Sequence, residues 1–188
     1  MAEKNLIKIY VNATSEKRVD IIIRHYTDFM EIVDGYTEGL RYMIECEKES
    51  NSRQDIGDLG VRVQTGGMTS DPTAQKAIRN VLTREALINC DFSGDMMDGV
   101  DRADEYMRDA YLLRDMRKDY ELFRRQLCIL GTEKETFEKY LCGEKNLVDI
   151  AEEQGITYES AQQKIHKIRS RVKKQVIGFM DGRMGGIA

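Results

Sequence analysis

The densest chemical signal lies near the end of the 188-residue chain. From Lys164 to Lys174 there are six Lys or Arg side chains, plus His166, and no acidic residue. Closely spaced cations of this kind suit a polyanion such as double-stranded DNA, where each neutralised phosphate releases counterions. Tyr158, Glu159, Gln162 and Gln163 precede them, with Thr157 at their head. Glutamine can bond adenine bidentately, and lysine can reach guanine or phosphate. We therefore expect Lys164, Lys167, Arg169, Arg171, Lys173 and Lys174 to supply phosphate contacts, not all at once because a helix turns some of them away. Tyr158, Glu159, Gln162 and Gln163 would set sequence preference, and Thr157 at their head is a fifth expected DNA contact.

Other chemistry finds less support. Cys46, Cys90, Cys128 and Cys142 are far apart, with no CxxC pair and only two histidines, so zinc ligation lacks its usual spacing. They read as reduced thiols acting as small hydrophobes. Asp91, Asp95, Asp98 and Asp101 raise the question of calcium. Counted from Asp91, however, the glycine and glutamate positions of an EF-hand loop hold Met96 and Arg102. A solvated turn and an acidic helix start fit better. No GxxxxGK[ST] loop, HExxH pair or nucleophile elbow occurs, so no enzyme and no cofactor are expected.

The elements that must position the basic segment follow from punctuation and periodicity. One proline in 188 residues, with charged residues at 33%, points to an all-α protein without a membrane span. The N-terminus lacks the pattern of a secretory signal, which implies an intracellular protein. Residues 5–11 read equally as a short strand or a helix lead-in. A long helix is expected from about Ser15 to Ser50. Its stripe is Val19, Ile23, Tyr26, Met30, Val33, Thr37, Leu40 and Ile44, a packing surface within the chain or across a dimer. A loop is expected over about 50–70, with Val61 and Val63 as a brief strand. Asp71 and Pro72 then open a helix to about Asn89, with Ala74, Ile78, Val81, Leu82 and Ile88 inward. Another runs to about Leu130, marked by Ala103, Tyr106, Ala110, Leu113, Tyr120, Phe123, Leu127 and Leu130.

After Gly131, Thr132 and Glu135 read as a capping box for a helix over about 133–142. Gly143 closes that helix and Asn146 caps the next, LVDIAEEQ. Gly155-Ile156-Thr157 makes a break, and Thr157 caps a third helix from Tyr158. Two such helices joined by a glycine turn form a helix-turn-helix candidate. Ala151 is small where the helices would cross. Ile150, Ile156, Ala161, Ile165 and Ile168 would share a core. Residues 1–130 hold 19 basic and 24 acidic side chains, and residues 131–188 hold 10 and 9, so positive charge gathers where DNA would lie. This divides the chain into a helical N-terminal region, 1–130, a helix-turn-helix domain, 131–177, and a loose tail, 178–188.

The stretch from Leu130 to Val176 resembles the fourth conserved region of bacterial sigma factors. The matching parts are Leu130-Gly131-Thr132-Glu133, then Ile150-Ala151-Glu152-Glu153-Gln154-Gly155-Ile156-Thr157, then Lys164-Ile165-His166-Lys167-Ile168-Arg169. The N-terminal 130 residues show no aromatic-rich, promoter-melting region. The whole arrangement is similar to small phage-encoded transcriptional regulators of the ArpU/RinA type, and the Ser70-Asp71-Pro72-Thr73-Ala74 helix start is similar to that group too. The resemblance implies a sequence-specific DNA-binding regulator of phage or prophage late genes in the cytoplasm of a bacterial host. Gln162 and Gln163 stand where sigma factors often carry basic or hydroxyl residues, so a different DNA target is expected. The N-terminal helices would form a homodimer or touch bacterial RNA polymerase, since a lone helix-turn-helix reads few base pairs. The alternative is a DNA-packaging adapter, a small terminase-like subunit, which would assemble as a ring.

Overall fold

The computed structural model describes residues 6–56 and 72–182, and these are all-helical, without strands. The elements are α1 (Leu6–Val11), α2 (Ser15–Arg24), α3 (Phe29–Ile56), α4 (Pro72–Asn89), α5 (Ala103–Gln126), a 3-10 segment (Leu127–Glu133), α6 (Lys134–Leu141), α7 (Leu147–Gln154) and α8 (Tyr158–Met180). No helix among the described residues is long and apolar enough to cross a membrane. The chain forms two compact units: Met1–Ile32 with Arg117–Ala188, and Val33–Met116. Segment 131–177 does not stand alone in its unit, because α8 packs on α2. Val61, Val63 and the Asp71 cap lie outside the described residues.

The first unit is built on aromatic packing. Residues 6–11 are helical, and Tyr10 is fully buried with its hydroxyl donating to Asp119 at 2.8 Å. Thr14 opens α2 by accepting the Lys17 amide. The expected helix from Ser15 to Ser50 is broken at residues 25–28. The His25 amide still bonds the Ile21 carbonyl, but His25 then accepts the amides of Asp28 and Phe29 in a turn. The buried stripe takes Ile22 and Phe29 in place of Ile23 and Met30. Phe29 stacks on Tyr120 at 5.4 Å, and the Tyr120 hydroxyl donates to the Tyr26 carbonyl. The stripe is thus buried within the chain and does not form a free dimer face.

In the second unit α3 continues to Ile56, beyond the expected end at Ser50. Val33, Thr37, Leu40 and Ile44 are buried, as are Tyr106, Ala110, Leu113 and Met116 of α5. The face of α4 is a correction. Ile78, Val81 and Leu82, expected inward, are 60%, 56% and 59% exposed, and Ala74 is exposed too, whereas Thr83 and Leu87 are buried. Polar contacts fix this rotation: Lys76 pairs with Glu49 at 2.9 Å and Arg84 with Glu38 at 2.6 Å. Arg41 braces Glu38 as well and also reaches Glu45.

Smaller corrections follow the same logic. The α5 helix ends at Gln126, and a 3-10 segment carries Leu127 and Leu130 inward. The Thr132–Glu135 capping box does not form: Glu133 caps α6 in helical conformation, and Glu135 instead pairs with Lys139. Cys46, Cys128 and Cys142 are exposed free thiols and Cys90 is half-buried, because they fall beside the buried stripes and not on them. Ile156 is 36% exposed, in the turn and outside the shared core. Helix α8 runs through Gly178 to Met180, where a loose tail was expected, and Asp181 beyond it accepts a hydrogen bond from Ser15. The remainder, 183–188, lies outside the described residues.

Candidate nucleic-acid interface

Helices α7 and α8 form the two arms of the unit's helix-turn-helix. Asn146 starts α7 by accepting the amides of Val148 and Asp149, while the Asp149 carboxylate takes the Asn146 amide, a closed capping box. Gly155 ends it at φ 62°, ψ 34°, with its amide directed at the Ala151 and Glu152 carbonyls, and the Ile156 amide returns to Ala151. These bonds satisfy carbonyls that the helix end would leave open. Thr157 then starts α8 by accepting the Ser160 amide. Helices α7 and α8 pack on each other with Ile150, Ala151, Ala161 and Ile165 buried, and the small Ala151 suits a close crossing.

Nothing lies within 4 Å of a Cβ built on Gly155, so the left-handed backbone is its main constraint. Gly155→Ala is expected to cost about 1 kcal/mol or somewhat more, and Gly155→Asn clearly less, since asparagine tolerates this conformation. Chemical denaturation followed by circular dichroism checks the ranking.

The rotation of α8 is set by Ala161, Ile165, Ile168, Val172 and Val176, all buried in steps of three and four. Diametrically opposite lie Gln163, Lys167, Ser170 and Lys174, all exposed. Tyr158, Glu159, Gln162 and His166 are exposed as well. Four of the five expected readers are therefore exposed on the first turns of α8, with Tyr158 in register with buried Ala161 and Ile165 and so on a different side from Gln163. The fifth, Thr157, is committed to its cap, donating its hydroxyl to the Ser160 side chain. His166 and Ser170 belong to the open face although they were not expected among the contact residues; the helical period that places Gln163 and Lys167 there includes them.

The six cations separate into two sets. Lys167 and Lys174 are exposed and have no ion-pair partner among the described residues. The others are engaged. Arg169 pairs with Asp20 at 2.8 Å, and Lys173 pairs with Asp20 at 2.8 Å and Glu16 at 3.0 Å. Arg171 reaches Glu133 at 3.1 Å, and Lys164 donates to the Gln154 side chain. Core packing causes this sorting, because the rotation that buries the apolar stripe turns residues 169 and 173 toward α2. The sequence did hold a signal, since Glu16 and Asp20 repeat the four-residue spacing of Arg169 and Lys173.

Burial alone would push the Asp20 carboxyl up, but hydrogen bonds from Lys173 and Arg169, with their charges, hold it below the ordinary aspartate value. Burial likewise opposes the charge of Lys173, and Asp20 and Glu16 outweigh it, raising its pKa. A carboxyl held down in the folded state stabilises above its unfolded pKa, near 4, and loses that contribution as the pH falls through its native value. Asp20→Asn is expected to cost under about 1 kcal/mol at neutral pH, since Asp20 is partly exposed and screened. The difference from wild type should vanish in acid, checked by denaturation at several pH values.

Charge follows the two compact units. Residues 1–32 and 117–188 hold 19 basic and 16 acidic side chains, a net of +3, and residues 33–116 hold 10 and 17, a net of −7. The unit that carries α8 is the basic one. No family model, curated protein or solved structure matches this chain.

Proposed function

We propose that the protein is a sequence-specific DNA-binding transcriptional regulator in which α8 enters the major groove. One observation carries the reading: Tyr158, Glu159, Gln162 and Gln163 are exposed at the N-terminal end of α8, on the second arm of a glycine-turned helix pair, with Lys167 and Lys174 free beyond them. Side chains at that end of a recognition helix meet base edges, and cations farther along meet the backbone. At 1.5 Å per residue the 23-residue α8 is about 34 Å long, enough to lie across the groove and its flanking phosphates. The resemblance to sigma region 4 and to ArpU/RinA-type regulators supports phage or prophage late-gene control as the setting. RNA polymerase or a second copy of the chain would extend the short site that one helix reads.

Selection of bound sites from random duplexes tests the proposal. A regulator should enrich one short motif and protect it in footprinting. No enrichment over input at low salt would remove the DNA reading. A stable ring of several subunits in light scattering would instead support the packaging adapter.

A further inference from the structure

We infer that residues 33–116 form a docking module for a basic amphipathic helix of a partner protein, seated on the outward face of α4. This does not depend on DNA binding by α8. Ile78, Val81 and Leu82, at helical spacings of three and four, make an apolar ridge more than half exposed. Lys76 and Arg84, with side chains 61% and 42% exposed, hold Glu49 and Glu38 on the α3 side and leave the ridge to solvent, the reverse of what burial of apolar surface favours in an unpartnered helix. A ridge of i, i+3, i+4 side chains matches the stripe of another helix.

The chemistry of the occupant is set beside the ridge. A cavity of about 650 Å³ is lined by Leu82 and Thr83 together with Glu85, Asp91, Asp95 and Asp98. Leu82 belongs to both features, so ridge and cavity are continuous. Thr83 is 7% exposed and forms part of the cavity wall. Lys48 and Arg79 are the cations of the lining, and Lys48 is already bonded to the carbonyls of Asp95 and Met96. Four carboxylates therefore face one uncommitted cation. With the unit at −7, DNA is repelled, and so is a second copy of the same face. A helix that places Lys or Arg beside an apolar stripe satisfies both features.

The test uses the full chain and two synthetic helical peptides with leucines at i, i+3, i+4 and i+7, one flanked by lysines and one by glutamates. The lysine peptide should bind at least about tenfold more tightly than the glutamate peptide. Ile78→Ser with Leu82→Ser should weaken it about tenfold, and so should Asp91→Asn with Asp95→Asn. Helical content and DNA binding should be unchanged in both. Equal binding of the two peptides would overturn the proposal, as would wild-type affinity in both variants. Self-association of the wild type that the Ile78 and Leu82 changes abolish would assign the ridge to a second copy and overturn it too.

Discussion

Lys167→Ala combined with Lys174→Ala is expected to weaken binding to every duplex by about tenfold or more and to reduce the salt slope by about two. These two side chains stand on the open face of α8 without an ion-pair partner among the described residues, so their charge is available to phosphate. Arg169→Ala with Lys173→Ala should behave differently. Those cations already hold Asp20 and Glu16, and their loss should lower the stability of the fold more than the salt slope. Gln162→Ala with Gln163→Ala should leave the slope unchanged and relax sequence preference, since neither carries charge. Titrations at several salt concentrations, on specific and random duplexes, separate the three double variants. If the Arg169 and Lys173 pair governed the slope, the orientation of α8 toward DNA would have to be redrawn.

Phe137→Ala is expected to cost roughly 3–5 kcal/mol, because a fully buried ring leaves a cavity that its neighbours fill only in part. Phe137 lies on α6, which packs on the 3-10 segment, and its ring stacks beside Tyr140. A loss of that size is a large share of a typical domain's 5–15 kcal/mol. The variant should unfold at much lower denaturant, and DNA binding should fail with it. Tyr140→Ala, at a half-buried position, should cost clearly less. Urea denaturation followed by helical signal checks both, and equal midpoints for the two would contradict the packing described.

Chain punctuation made the local architecture legible. Asn146, Gly155 and Thr157 act through hydrogen bonds within a few residues of themselves, so their roles as caps and turn could be read without a partner. The stripe on α8 was legible because every residue it needs lies on one helix with one period. The break at residues 25–28 was not, since the polar signals there are weak and the gain comes from stacking Phe29 on Tyr120, distant in sequence. The face of α4 was misread for a related reason. Hydrophobicity assigned Ile78, Val81 and Leu82 to a core, whereas Lys76 and Arg84 found carboxylates on α3 that periodicity within α4 cannot reveal.

By itself, then, the order of residues determined the all-helical class, the caps and turn of the helix pair, and the concentration of positive charge near the C-terminus, because each depends on near neighbours or on composition. Tertiary structure decided which cations remain open, which side of α4 meets water, and that residues 1–32 share a unit with α8. Those outcomes depend on ion pairs between residues 27 and 46 positions apart for α4 and 149 and 153 apart for α8, and partner choice at such distances is settled only when the chain packs.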